Sequence, residues 1–348
     1  TGISIMALRF ESVEVSSVDQ AELNRFPDRM VHQSLPWLRF IADTQKARPI
    51  LAHLRSDQET LGYFSGLLVN KFGFTILGSP FPGWSTTYMG FNLKPGVPRA
   101  DAIGALTDYA FSDLKCHHLE LMDRFATQED YEPFDFDVWM FRGYEIDLGP
   151  DEDRLFSNMS ATCRNSIRKA ARLGVRIEES TVPDFVCDYW AQLKHVFAVK
   201  GAIPPFGPSR VERLIEHLLP TASLLLLKAT TEEGECLATG LFPAMNKTAF
   251  FWGGASWRHH SKLGANEALV WYAMKYWKRR GIQIFDMVGL GDYKRKFGAY
   301  PIAVPWASKS RNRSIAFLRR SAESTIRRSH RIAGRVANLV ESIRHGLP

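Results

Sequence analysis

The feature that most constrains this chain is an echo within it. Asn70-Lys71-Phe72-Gly73-Phe74-Thr75-Ile76-Leu77-Gly78 lines up with Asn246-Lys247-Thr248-Ala249-Phe250-Phe251-Trp252-Gly253-Gly254, with Asn, Lys, Phe and Gly at matching offsets. A Gly-Leu pair precedes each stretch, Gly66-Leu67 and Gly240-Leu241. Both stretches sit in the same predicted order of strand, turn, strand, loop, helix and strand, which argues for a duplicated domain. The length agrees, because 348 residues suit two domains of roughly 170.

In the first half a polar, helix-compatible stretch spans 17–47, and strands follow at 49–54, 60–69 and 73–77. Gly78-Ser79-Pro80-Phe81-Pro82-Gly83 is too rich in Gly and Pro for a helix or a central strand. Helical spacing over 101–114 and a strand at 118–122 complete the half. The second half opens with a helix over 155–173, stopped by Gly174. A short strand at 175–178, helices at 184–200 and 209–219, and strands at 222–230, 235–245 and 248–253 come next. A long helix over 264–280 ends at Gly281 and leads into a strand at 282–288. The expectation is an α/β (α+β) chain of two tandem mixed sheets flanked by helices. Its domains are 6–150, 151–307 and a tail at 308–348, with the polar segment around Gly149-Pro150 as the boundary.

Charge is uneven along the chain. From Ser308 to Pro348 ten Lys or Arg face two Glu, so a tail of +8 against a whole-chain +7 leaves −1 for the rest. Apolar positions in the tail (Ile315, Leu318, Ala322, Ile326) recur every three or four residues, as on one helical stripe. Such a helix suits packing on the body, an anionic membrane surface or RNA phosphates. Composition is otherwise ordinary for a globular protein: 45% hydrophobic, 12% aromatic and 23% charged, which excludes disordered, collagenous and coiled-coil classes. No run of 18 apolar residues and no secretory leader is evident. Cys116, Cys163, Cys187 and Cys236 lack CxxC spacing, which points to reduced thiols in a cytoplasm.

Candidate chemistry concentrates between Thr248 and Gly298. A strand ending at Trp252-Gly253-Gly254 runs into the basic loop Arg258-His259-His260-Ser261-Lys262, and a long helix starts at Gly264-Ala265. Helix-start amides and basic side chains aimed at one spot suit a phosphate, and a solvated loop is the plain alternative. Arg164 and Arg168 are i, i+4 neighbours on one helix with Lys169 beside them, able to clamp a diphosphate or simply to form a basic surface. His117-His118 and His259-His260 have no carboxylate or Cys at ligand spacing, so no metal site is expected. GxSxG, Walker and GxGxxG signatures are absent from the sequence.

Three segments resemble a known family. Arg164-Asn165-Ser166-Ile167-Arg168-Lys169-Ala170 with Gly174-Val175, then Phe285-Asp286-Met287-Val288-Gly289, then Tyr293-Lys294-Arg295-Lys296-Phe297-Gly298 occur in the order seen in Fem-type peptidyltransferases and CelD-like acetyltransferases. Both are double-GNAT acyltransferases, and the resemblance covers about residues 20–305. It implies an N-acyltransferase that forms an amide by direct transfer from aminoacyl-tRNA or acyl-CoA to an amine acceptor, such as a cell-envelope precursor or peptide metabolite, without a tightly bound cofactor. It maps the lysine near the reacting ester onto Lys294, with Asp286 behind it to orient it or take a proton. Arg258, Lys262, Gly264 and Ala265 fall on the donor loop, and Arg164, Arg168, Lys169, Trp252, Tyr293 and Phe297 on the substrate side. The acetyl-CoA signature Arg/Gln-x-x-Gly-x-Gly/Ala is not matched: read from His259, Lys262 stands at its first glycine and Gly264 at its last. A lysine there crowds a pyrophosphate, so the resemblance favours aminoacyl-tRNA. An acetyl-CoA enzyme, and a non-catalytic binding protein at a membrane or RNA surface, are the alternatives. The first half lacks the basic loop and is expected to shape the acceptor groove without catalysing.

Overall fold

The computed structural model describes residues 8–15, 17–57, 59–71, 73–180 and 184–316. In chain order the elements begin β1 (Arg9–Val13), α1 (Gln20–Asn24), α2 (Leu35–Gln45), β2 (Arg48–Ser56), β3 (Glu59–Lys71), β4 (Phe74–Ser79) and β5 (Gly90–Leu93). Then come α3 (Arg99–Asp108), β6 (His118–Leu121), β7 (Asp137–Asp147), α4 (Glu152–Asn158), α5 (Ala161–Arg172), β8 (Arg176–Glu179) and α6 (Asp184–Val199). The rest are α7 (Pro208–Leu218), β9 (Leu224–Thr230), β10 (Cys236–Met245), β11 (Thr248–Phe250), β12 (Gly253–Ser256), α8 (Ala265–Arg279), β13 (Ile284–Asp286), α9 (Asp292–Arg295) and β14 (Tyr300–Ser310). The chain forms two compact units. One takes in the sequence up to Gly143, Met245–Lys247 and the stretch from Pro301; the other holds Tyr144–Ala244 and Thr248–Tyr300.

The two units repeat one topology. In the first, β1, β2, β3 and β4 pair antiparallel in that order, β5 branches onto β3, and β4 then runs parallel to β6. In the second, β8, β9 and β10 pair antiparallel, β12 branches onto β10, and β11 runs parallel to β13. Parallel neighbours need a crossover, and α3 and α8 supply it. Each parallel strand gains a further antiparallel partner: β14 on β6, and the last residues of β7 on β13. The duplicated architecture expected from the echo is thus present, with the tandem mixed sheets that the resemblance implies.

Local chemistry explains the elements. β9 opens with four consecutive buried leucines, the pattern of a strand covered on both faces. Val211, Leu214, Ile215 and Leu218 form the buried stripe of α7. The cores are separate: Phe64, Leu77, Phe91, Leu119 and Ala307 in the first unit, and Leu227, Phe242, Leu269, Met274, Phe285 and Phe297 in the second. In the first unit a buried polar chain joins facing strands. Ser310 Oγ meets His118 Nδ1 at 2.8 Å, His118 Nε2 meets Glu120 at 2.9 Å, and Trp306 Nε1 donates to Glu120 at 2.7 Å.

Several expected elements differ. Gly78 and Ser79 end the central strand β4, paired with Glu120 and Leu121, although that Gly/Pro-rich stretch argues against a strand. The strand over 248–253 is broken into β11 and β12. The helix over 155–173 is two helices, α4 and α5, because Ser160 accepts the Cys163 amide and starts a new helix. The stretch 101–114 starts at Arg99, after Pro98, and its last turn, Tyr109–Asp113, widens into π geometry. Of the basic tail, Ser308–Ser310 finish β14, and 317–348 lie outside the described residues. No helix among the described residues is long and apolar enough to cross a membrane.

Candidate active site

The site is built where two strands part. β11 runs beside β13 with Phe250 opposite Asp286, and the Phe251 amide donates to the Asp286 carbonyl at 2.8 Å. One residue later the Trp252 amide donates to Leu241 of β10 instead, at 3.1 Å, and β12 continues along β10 from Gly253. The chain therefore changes partners at Trp252, and an opening forms past the C-terminal end of β13. In open α/β sheets that end of parallel strands is where ligands are taken up. The turn-off is tightly packed: a Cβ on Gly254 would lie 2.6 Å from the Phe251 ring and one on Gly253 2.7 Å from the Tyr189 hydroxyl, so a larger residue would force those side chains to shift.

Charged groups converge at this end. Asp286 is fully buried and its Oδ1 accepts the Val288 amide at 2.6 Å. Glu145 of β7 stands opposite Asp286 in register, is also buried, and accepts the Tyr300 hydroxyl at 3.2 Å. Lys294, on α9, turns back so that its Nζ donates to the carbonyls of Val288 and, at 3.5 Å, Gly289. Burial lowers the Lys294 pKa from the ordinary lysine value, and the Asp286 charge partly restores it. Val288 itself has φ +51°, a conformation that a β-branched residue resists, so the segment presenting these carbonyls is strained.

The aromatic-Lys-x-x-Phe-Gly stretch resolves into separate tasks. Phe297 is buried in the second unit's core. Gly298 adopts φ +81°, and a Cβ there would lie 3.0 Å from the Asn158 carbonyl oxygen. Lys296 forms an ion pair with Glu267 of α8, with its ammonium 4.0 Å from the Tyr293 ring centroid. Lys294 and Lys296 would share a face only in an extended segment. The segment is a helical turn, so one points to the Val288 carbonyl and the other to α8. Burial raises the Tyr293 pKa well above the ordinary phenol value, and its hydroxyl has no hydrogen-bond partner among the described residues.

The other expected residues are spread around this centre. Trp252 stacks on Phe206 with centroids 5.8 Å apart. Arg164 donates to the carbonyls of Ser157 (2.9 Å) and Met159, holding the end of α4, while Arg168 lies 5.2 Å over the Phe156 ring with Lys169 beside it on α5. The Arg258 amide donates to His195 Nε2 at 3.2 Å, and Arg258 and Lys262 are exposed in the 3-10 segment Arg258–Leu263. Gly264 and Ala265 are buried: Gly264 has φ +75°, and a Cβ there would run into the Ser166 carbonyl group, 2.9 Å from its carbon. The first turn of α8 carries Glu267. Glu145, Glu267 and Tyr300 were not anticipated, because their partners are set by strand and helix pairing far apart in sequence. In three dimensions each histidine pair has a carboxylate beside it. Glu235 Oε1 lies 2.9 Å from His260 Nε2, and Glu120 Oε1 lies 2.9 Å from His118 Nε2.

Comparison with known proteins bears on the fold that carries these residues. Residues 157–297 match the family described as "Acetyltransferase (GNAT) domain". No curated protein matches the chain. Among solved structures, FemX superposes with a TM-score of 0.70 at 13% identity, over 85% of this chain and 96% of FemX. L-PGS from Bacillus licheniformis gives 0.54 at 14% identity, over 91% of this chain and 97% of that one. A tandem GNAT protein from the clavulanic acid biosynthesis pathway gives 0.52 at 10% identity, over 87% and 98%. At such identities the likeness establishes fold, while the domain match covers the segment that holds Asp286 and Lys294. Residues 157–297 are therefore similar to a GNAT acetyltransferase domain, within a chain whose fold is FemX-like.

Proposed function

We propose that the protein is an N-acyltransferase that moves an aminoacyl group from aminoacyl-tRNA directly onto an amine acceptor, such as a cell-envelope precursor or a peptide metabolite. The observation that carries this reading is Lys294, held beside buried Asp286 where β11 and β13 part. Attack of an amine on an acyl ester builds negative charge on the carbonyl oxygen. An ammonium has three N–H groups. Two can be engaged by the Val288 and Gly289 carbonyls, leaving a third for that oxygen. A preorganised donor of this kind contributes roughly 3–4 kcal/mol in comparable sites. Asp286 favours the charged form of Lys294 and supports that role.

The start of α8 supports this choice of donor. An acyl-CoA pyrophosphate is held by open helix-start amides, and a carboxylate in the first turn competes with it for the positive end of the dipole. Here Gly264 and Ala265 are buried against α5, and the first turn presents Glu267 paired with Lys296. Both features favour a donor other than CoA. The test is binding of the full chain, and of a chain lacking 308–348, to charged tRNA, uncharged tRNA and acetyl-CoA at moderate salt. Preference for charged tRNA is expected, and it should survive removal of the tail. Saturable acetyl-CoA binding with no preference between tRNA forms would overturn the assignment.

A further inference from the structure

The loop in front of α8 holds a cluster that the transfer reaction does not use. Pairing of β10 with β12, Ala238 opposite Ser256, brings the turn before β10 alongside the 3-10 segment after β12. The Trp257 amide reaches the Leu237 carbonyl at 3.3 Å and extends that register outward. The β9–β10 turn is itself fixed, with the Thr231 amide on the Glu235 carbonyl at 2.9 Å and the Glu235 amide on Thr231 Oγ1 at 3.2 Å. Glu235 is thereby set against His260, with His259 next to it: the two imidazole centroids lie 4.1 Å apart.

We propose that Glu235, His259 and His260 bind a divalent transition ion of the zinc type, which ties the β9–β10 turn to the segment leading into α8. One ligand atom from each residue lies within 4.8 Å of the other two, and the Glu235–His260 pair is already at 2.9 Å. Tetrahedral ligands at zinc bond lengths stand about 3.3 Å apart, so closing the set takes side-chain movements of roughly 1 Å. Two imidazoles and one carboxylate select zinc, nickel or copper over magnesium or calcium, which prefer all-oxygen sets. Glu232 and Glu233 in the same turn add negative charge that attracts a cation. His195 takes part differently. Its Nε2 accepts the Arg258 amide at 3.2 Å, which anchors the segment and leaves the fourth ligand position to solvent or a substrate atom.

The site is tested by titrating the tag-free full chain with Zn²⁺ in a calorimeter, alongside Glu235→Gln, His259→Ala and His260→Ala. Limited tryptic cleavage after Arg258 and Lys262 is followed with and without the ion. Glu235 and His259 are exposed and His260 is half-buried, so the variants should keep the wild-type melting curve. The expected result is one equivalent bound by the wild type, at least about tenfold weaker binding in each variant, and zinc protection of the segment in the wild type alone. Wild-type affinity in all three variants would place the ion elsewhere and overturn the proposal. So would the lack of saturable binding by the wild type.

Discussion

Gly264→Ala separates two reasons for a glycine at the start of α8. A glycine kept for a phosphate could accept a methyl group at modest cost to folding and a large cost to donor binding. In this structure the constraint is internal. Gly264 has φ +75°, a left-handed conformation that costs an alanine about 1 kcal/mol. The added Cβ would also sit 2.9 Å from the Ser166 carbonyl carbon and closer still to its oxygen, which is backbone of α5 and cannot rotate away. Overpacking of that kind costs about 1–3 kcal/mol, giving roughly 2–4 kcal/mol in all. Gly281, at the end of α8, is the control: it has φ +84° with nothing within 4 Å of the position a Cβ would take, so Gly281→Ala should cost only about 1 kcal/mol. With a urea slope of about 2 kcal/mol/M, the midpoints should fall by about 1–2 M for Gly264→Ala and about 0.5 M for Gly281→Ala. Equal shifts for the two variants would refute the steric argument and return Gly264 to the ligand.

Three further substitutions probe the site and its supports. Lys294→Met should lower kcat/KM by about 10²–10³ with the far-ultraviolet circular dichroism unchanged, and a loss below about tenfold would remove Lys294 from oxyanion stabilisation. Burial lowers the folded-state pKa of Lys294, so between that value and the ordinary lysine value the unfolded chain binds the extra proton. Stability contributed by this residue therefore rises with pH across that alkaline window, and Lys294→Met should flatten the rise in urea midpoints. Glu267→Gln leaves Lys296 without its counter-charge. Their side chains are 13% and 22% exposed, so the cost should be about 1–3 kcal/mol, below that of a fully buried pair, and adding Lys296→Met should recover part of it. Glu120→Gln keeps shape but weakens the bonds from His118 and Trp306, for an expected loss of about 1–2 kcal/mol and a change in Trp306 fluorescence.

How far the sequence carries follows from the range of the interactions involved. The repeat was legible because strand–turn–strand patterning is local, and the hairpins β3–β4 and β10–β11 both formed. Lys294 and Asp286 are candidates that the sequence offers because each lies in a recognisable short stretch. Glu145 could not be, since a glutamate between Tyr144 and Ile146 looks like any strand residue until β13 pairs with it. The interruption at Ser160 has a local signal, a serine three residues before an amide it can cap, but the apolar spacing on either side masked it. Glu235 meets His260 through the β10–β12 register, which spacing along the chain does not reveal. The same holds for Gly264: its contact with Ser166 depends on how α5 packs on α8.

The position of β14 has a consequence for how the molecule is made. Ala307 is fully buried in the first unit's core, and β14 supplies the strand beside β6, with Ala307 opposite Leu121. A ribosome releases Tyr144–Tyr300 before it releases that strand. The first unit thus waits, with β6 lacking β14, while the second already has every strand it shows among the described residues. Vectorial synthesis would therefore complete the unit holding Tyr144–Tyr300 first and the other unit last. A chain ending at Tyr300 and held on the ribosome by a linker long enough to clear the exit tunnel should resist proteolysis across α5 to β13 while being cut within β1 to β6.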